Sequence, residues 1–218
     1  PYFPYVSEEV LSKARRLPLV LHELLTYEAD ILCLQEVDES VFRSLLEPVF
    51  DTMNYQGYYS EKTSEGTREG SAVFWSLDRF MQVEKSDRKT YAFHDLLPLL
   101  ESNFESSASL TALLHKRSDL HRIVTTLLGH VLQFVPLQCR RGNPHPIWVA
   151  NTHLFFHPRA SHIRLLQIYL LGLQLGNELE RFPGEVVLCG DFNSSLENAA
   201  GKLALERFVP ENFFETKL

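Results

Sequence analysis

The sequence has few cysteines, fewer basic than acidic residues and no long uncharged apolar run. Three cysteines among 218 residues are too few, and odd in number, for a disulfide framework, so Cys33, Cys139 and Cys189 are expected to be buried free thiols of a reducing compartment. Lysine and arginine total 21 against 28 acidic residues, and this net charge of −7 excludes a protein that binds nucleic acid through bulk positive charge. No apolar stretch approaches the roughly 18 residues of a membrane span, so no membrane partner is expected.

The sequence also lacks the motifs of several enzyme classes. It contains no Gly-x-Ser-x-Gly elbow of a serine hydrolase and no phosphate loop ending in Gly-Lys-Ser or Gly-Lys-Thr. The cysteines lie inside predicted strands, where a thiol is expected to be inert. A zinc site shared by His153 and His157 is disfavoured, because four residues of strand span about 13 Å and Pro158 breaks any helix there.

The chain contains instead an alternation of helices and short apolar strands, which is the pattern of an α/β protein. With 44% hydrophobic residues, 218 residues suffice for one domain with a sizeable core. A helix is predicted over 13–27, where Pro18 is tolerated only in the first turn, and another over 162–180 with Ser161 as its cap. A ragged helical region is predicted over 91–116. The remaining predictions are buried strands at 29–36, 147–154 and 185–190, further strands at 55–59, 71–75 and 121–137, and a turn at 65–70.

Three polar clusters follow buried strands, at residues 35–36, 152–153 and 191–193. Catalytic groups collect at strand ends because rigid backbone meets solvent there. Carboxylate and amide oxygens of Glu36, Asp191 and Asn193 could hold Mg²⁺, and His153 could donate to a phosphate oxygen or move a proton. The alternative interpretation is that the carboxylates are solvated or capping groups, that 191–193 is a plain turn and that His153 is a satisfied strand histidine.

In their order and spacing, residues 34–38, 151–154 and 189–194 resemble successive motifs of the endonuclease/exonuclease/phosphatase superfamily. That superfamily includes pancreatic deoxyribonuclease, abasic-site endonucleases and deadenylases. The resemblance implies a four-layer α/β sandwich, in which two mixed β-sheets are flanked by helices as in deoxyribonuclease I. It also implies a metal-dependent phosphodiesterase that uses Mg²⁺, with Mn²⁺ as the alternative ion.

The segments at residues 1–5, 36–42 and 153–167 are most similar to the 2′-phosphodiesterase branch, whose known member is a mitochondrial enzyme that degrades 2′,5′-linked oligoadenylate and trims poly(A) tails. The resemblance therefore implies a 3′-exoribonuclease that acts on oligo- or poly(A) RNA, with cleavage of 2′,5′ linkages as a further activity. The implied location is the mitochondrial matrix, with the cytoplasm as the alternative, and no transit peptide lies in this chain.

The same resemblance assigns roles to four residues. It implies that Glu36 ligates the catalytic Mg²⁺ and that Asp191 orients or deprotonates the attacking water. His153 would contact the scissile phosphate and stabilise the charge of the transition state, while Asn193 would hold a phosphate oxygen. The catalytic set is thus His153, Asp191 and Asn193, of which His153 and Asn193 also bind substrate, and the metal ligand is Glu36.

Two departures from the family lead us to expect that residues 1–218 form a single, incomplete domain. The family has a metal-associated Asn on its first strand and a Ser-Asp-His segment on its last, and this sequence contains neither. The alternatives that stay open are a cytoplasmic deadenylase-like enzyme, a less favoured lipid- or inositol-phosphate hydrolase, and a non-catalytic fragment that binds RNA or a partner. Arg140, Arg141 and Arg159 are candidate cations around the cleft, or else ordinary solvated loop residues.

Overall fold

The computed structural model describes residues 4–63, 68–102, 104–127, 129–142, 146–207 and 209, and within them two β-sheets pack face to face between helices. The first sheet has the order β1-β3-β2, with strands β1 (Ile31–Asp38), β2 (Tyr55–Glu61) and β3 (Glu69–Ser76). The second has the order β4-β5-β6-β7, with strands β4 (Lys89–Ala92), β5 (Val131–Leu137), β6 (Ile147–His153) and β7 (Glu185–Asp191).

Neighbouring strands are antiparallel except β6 and β7, which are parallel and make the second sheet mixed.

The helices are α1 (Glu8–Leu11), α2 (Lys13–Thr26), α3 (Glu39–Val41), α4 (Glu47–Thr52), α5 (Pro98–Ser102), α6 (Phe104–Lys116), α7 (Ser118–Arg122), α8 (Ser161–Arg181) and α9 (Ala199–Glu206), with π-helical turns at Phe42–Leu46 and Ile123–Leu127 and a 3₁₀ turn at Phe93–Leu96. The expected four-layer α/β sandwich is confirmed. In the part of the chain that the structure describes, no helix combines the length and the apolar character that crossing a membrane requires.

Alternation along the central strand β3 explains the layering. Val73 and Trp75 point toward the second sheet and are completely buried between the sheets. Ala72 and Phe74 point the other way, where they pack with residues of the helical layer over the first sheet, including Phe42. Because successive strand side chains face opposite sides, a doubly covered strand must be apolar at every position. A separate core lies under α8 on the outer face of the second sheet.

The predicted strand at 121–137 is wrong in its first half. This segment begins with the end of α7, continues through the π-helical turn Ile123–Leu127, and becomes β5 only at Val131. Apolar residues of both parities also fit a helix that buries one face, and Val124 is completely buried in this way. The predicted helical region at 91–116 is interrupted similarly, because its first residues belong to β4.

Details at three element ends also differ from expectation. Pro18 lies in the second turn of α2 rather than the first, and α2 tolerates it because Ala14, whose carbonyl loses its partner, is on the exposed side. Ser161 is the first residue of α8 rather than its cap, and the N-cap position is occupied by Ala160. The segments that form β1 and β7 were both predicted to be buried strands. Among the described strands they lie at the edges of their sheets, and β7 is only partly buried.

The cysteines are free, as expected, but all three are only partly buried among the described residues. Cys33 of β1 and Cys189 of β7 are neighbours where the two sheets meet. A hydrogen bond between the two thiols raises the pKa of Cys33 and lowers that of Cys189 to about 7.

Candidate active site

Glu36 lies in a β-bulge and not at the end of its strand as predicted. In the pairing of β1 with β3, Leu34 is opposite Ala72 and Val37 is opposite Gly70, so that Gln35 and Glu36 together face a single residue. Glu36 has a φ of 58°, which is left-handed backbone and unusual for a residue with a side chain. Strain of this kind is characteristic of functional sites, and here the bulge leaves the Glu36 carboxylate exposed at the rim of the sheet.

Glu36, Glu69 and His153 come together at this rim. One potential ligand atom from each residue lies within 4.8 Å of the other two. Glu36 comes from β1 and Glu69 from the start of β3, whereas His153 comes from the end of β6 in the second sheet. The site is therefore assembled where the two sheets face each other.

Sequence reasoning missed Glu69, because the polar segment 65–70 was predicted to be a turn. Residues 64–67 lie outside the described residues, but Glu69 and Gly70 already belong to β3. The signal that could have placed them in a strand is Gly70 itself. A Cβ at this position would lie 2.1 Å from the carbonyl oxygen of Ser60, so a close approach of β2 and β3 requires glycine there.

A cation that contacts this cluster is Lys62, which sequence reasoning also missed. Its ammonium donates to Glu69 Oε1 at 2.5 Å, and the Lys62 side chain is only 13% exposed. Alternation along β2 was the available signal, since Lys62 has the same parity as the buried Ser60.

Two of the three predicted cations, Arg140 and Arg141, lie at the opposite end of β6 from the site. Arg140 follows β5 at the end of the sheet where β6 begins, and it donates to the carbonyl of Leu77. Arg141 is its exposed neighbour, and both are therefore a strand length from His153 at the other end of β6. Arg159 is exposed in the loop that follows β6.

His153, Asp191 and Asn193 lie side by side, as the motif spacing predicts. The parallel register of β6 and β7 pairs His153 with Asp191, and His153 Nε2 is 3.9 Å from Asp191 Oδ2. Asp191 Oδ1 accepts the backbone N–H of Asn193 at 2.8 Å, and Asn193 Nδ2 donates to the carbonyl of Leu154 at 2.9 Å. Asn193 has a φ of 46°, so the chain turns sharply after β7 and holds both polar side chains at the rim.

The environment keeps the imidazole of His153 neutral at neutral pH. Burial lowers the pKa of His153, and the positive charge of Lys62 lowers it further. The nearby carboxylates of Asp191, Glu36 and Glu69 act in the opposite direction but have the smaller effect. His130 lies against His153 with ring centroids 6.1 Å apart and perpendicular planes. Burial lowers the pKa of His130 to about 4, with Lys62 and His153 as smaller contributors. Two neutral imidazoles, rather than two imidazolium ions, therefore form this wall of the site.

A layer of buried amides supports the site from below. Gln35 Nε2 donates to Asn151 Oδ1 at 2.8 Å, and Asn151 Nδ2 donates to Gln133 Oε1 at 2.9 Å. Gln133 in turn donates to Ser60 Oγ at 3.0 Å. This chain crosses from β1 to the second sheet and back to β2. Because the links are buried or partly buried hydrogen bonds, the chain fixes the separation of the sheets directly beneath the Glu36 bulge.

The donor set fits a divalent cation. Carboxylate oxygens are the ligands that Mg²⁺ and Mn²⁺ prefer, and Glu36 and Glu69 each offer one. The buried Nδ1 of His153 has no hydrogen-bond partner among the described residues. An orphaned imidazole nitrogen beside two carboxylates is costly unless a ligand or substrate group satisfies it.

Comparison with known proteins identifies relatives over almost the whole chain. A profile described as "Endonuclease/Exonuclease/phosphatase family" matches residues 10–214. The human protein "2',5'-phosphodiesterase 12" is 30% identical over 212 residues, which are 96% of this chain and 33% of that protein. The mouse "Protein angel homolog 2" is 30% identical over 195 residues, covering 88% of this chain and 31% of that protein. The chain thus spans about a third of the length of these curated relatives.

A solved structure agrees with these matches. The crystal structure of ANGEL2, described as a 2',3'-cyclic phosphatase in complex with adenosine-2',3'-vanadate, superposes with a TM-score of 0.71 at 24% identity. The match covers 93% of this chain and 51% of that one. At this identity the likeness supports the fold, which is the sandwich that the sequence motifs predict.

Proposed function

The chain belongs to the endonuclease/exonuclease/phosphatase family, and from that premise we propose that it is a Mg²⁺-dependent phosphodiesterase that hydrolyses RNA from its 3′ end. The observation that carries this proposal is the juxtaposition of the Glu36–Glu69–His153 cluster with Asp191 at one rim. Hydrolysis of a phosphodiester requires the negative charge of the phosphate to be offset and a water to be activated beside it. The rim provides groups for both tasks.

In this mechanism Glu36 would hold the divalent ion, which would supply positive charge to offset the negative charge of the phosphate. His153 is neutral and buried, so it donates a hydrogen bond to a phosphate oxygen without needing to be protonated. Asp191 orients the attacking water and accepts its proton at Oδ2, because Oδ1 is occupied by the Asn193 N–H. Asn193 uses one amide hydrogen to fix its own position on Leu154 and offers the other to a phosphate oxygen.

We further propose oligo- or poly(A) RNA as the substrate, with 2′,5′-linked oligoadenylate as an additional one. The human relative is named for 2′,5′-phosphodiester cleavage, and the ANGEL2 crystal holds an adenosine vanadate. The proposed compartment is the mitochondrial matrix, with the cytoplasm as the alternative, and fractionation of cells that express the tagged protein distinguishes them. Both are proposals because this chain matches only about a third of the length of those relatives.

The substrate proposal is tested with four RNAs of equal length: 3′,5′-linked oligo(A), 2′,5′-linked oligo(A), oligo(U) and oligo(A) blocked at its 3′ end. We expect Mg²⁺-dependent release of AMP from the first two, slower release from oligo(U) and none from the blocked RNA. Activity on inositol phosphates instead of RNA would refute the proposal, as would RNA binding with no hydrolysis. The latter result would favour a non-catalytic RNA-binding protein.

A further inference from the structure

Glu69 occupies a built position beside Glu36. The strand order β1-β3-β2 places Glu36 of β1, Glu69 of β3 and Lys62, the residue directly after β2, at the same rim of the first sheet. The backbone N–H of Lys62 donates to the carbonyl of Glu69 at 3.0 Å, so the two residues are cross-strand neighbours and their ion pair is backed by the ladder. Glu69 is therefore held by its backbone and by its side chain.

A second observation concerns the buried imidazole that completes the cluster. Only 6% of the His153 side chain is exposed. One of its ring nitrogens lies within 4.8 Å of a carboxylate oxygen of Glu36 and of one of Glu69. Its Nδ1 has no hydrogen-bond partner among the described residues. Two carboxylates and an orphaned buried imidazole, contributed by both sheets, are a donor set and not merely an acidic surface patch.

We propose that Glu69 is a second carboxylate ligand of the divalent cation, held in place by Lys62. Lys62 engages Glu69 Oε1, which leaves the other carboxylate oxygen for the ion. The Lys62 side chain is only 13% exposed, so this ion pair holds the Glu69 carboxylate in a fixed position at the rim. Two carboxylates rather than one give a harder oxygen environment, which favours Mg²⁺ or Mn²⁺ over softer ions.

Since cation binding is part of the proposed function, this inference rests on it, and the test uses the metal alone so that the two can fail separately. Mn²⁺ binding to the purified protein is measured by electron paramagnetic resonance, from the loss of the free-ion signal, for wild type, Glu36→Gln, Glu69→Gln and Glu61→Gln. Glu61 is the matched control, because it is an exposed carboxylate immediately before Lys62. Circular dichroism and melting without metal confirm that each variant is folded.

We expect Glu36→Gln and Glu69→Gln each to weaken Mn²⁺ binding at least about tenfold, and Glu61→Gln to bind like wild type. Mn²⁺ should raise the melting temperature of the first two variants less than that of wild type, because an ion that binds the folded protein more weakly stabilises it less. If Glu69→Gln melts lower without metal yet binds Mn²⁺ as tightly as wild type, Glu69 is only the partner of Lys62 and the inference is wrong, while the proposed function survives through Glu36. If wild type binds no Mn²⁺, both are wrong.

Discussion

His130 should make the stability of the protein depend on pH between 5 and 7. The imidazole is 7% exposed, it packs perpendicular to His153 and Phe155, and its Nδ1 has no hydrogen-bond partner among the described residues. Burial lowers its pKa from 6.5 to about 4. In this range the unfolded chain takes up a proton at His130 that the folded protein does not. Stability is therefore greatest above pH 6.5 and is lost as the pH falls toward 4.

The magnitude follows from the two pKa values. A shift of this size costs about 3 kcal/mol once the pH is below both values, and between pH 7 and pH 5 the loss is about 2 kcal/mol. The assay is urea unfolding at pH 7 and pH 5 for wild type and for His130→Phe, which keeps a planar ring and cannot titrate. The difference between the two pH values is compared, so any constant cost of the substitution cancels.

We expect wild type to lose about 2 kcal/mol more than His130→Phe between pH 7 and pH 5. Titrating groups that do not contact His130 contribute equally in both proteins. Equal losses in the two proteins would show that His130 is not buried as a neutral imidazole against His153, and the description of this wall of the site would be incorrect.

Two further predictions concern the close approach of β2 and β3 and the metal. Gly70→Ala should lower the free energy of unfolding by at least about 2 kcal/mol, because a Cβ would lie 2.1 Å from the Ser60 carbonyl oxygen. Gly172→Ala in α8 is the control, and because that glycine has open space around it, the substitution should raise the free energy of unfolding by up to about 1 kcal/mol. Melting temperatures that shift in the same direction for both variants would contradict the close approach of β2 and β3. EDTA should abolish hydrolysis of oligoadenylate and added Mg²⁺ should restore it, and activity that persists in EDTA would speak against the metal role of Glu36.

Much of this architecture could be predicted from sequence, because it depends on local patterns. A strand that is apolar on both faces must be packed against other elements on both sides. The inner position of β6 could therefore be predicted from its own segment alone. His153, Asp191 and Asn193 were found together because each lies at or just beyond the end of a strand, and the parallel pairing of β6 and β7 then aligns them.

The remainder depended on contacts between distant segments. The bulge that extends β1 past Glu36 arises from the register with β3, which no single segment encodes. Glu69 and Lys62 become neighbours only when β2 and β3 pair, and a polar glycine-bounded segment predicts a turn equally well. In residues 121–137, apolar residues on both parities fit either a strand or a half-buried helix, and the packing of Val124 decides for the helix.

The most direct test of the proposed mechanism is the rate at which AMP is released from the 3′ end of oligoadenylate with saturating Mg²⁺, compared for wild type, Asp191→Asn and the exposed-site control Asp51→Asn. Asparagine keeps the hydrogen bond from the Asn193 N–H but cannot accept the proton of the attacking water. The account predicts that Asp191→Asn loses at least about two orders of magnitude in rate, while Asp51→Asn cleaves like wild type. Cleavage by Asp191→Asn at the wild-type rate would contradict it.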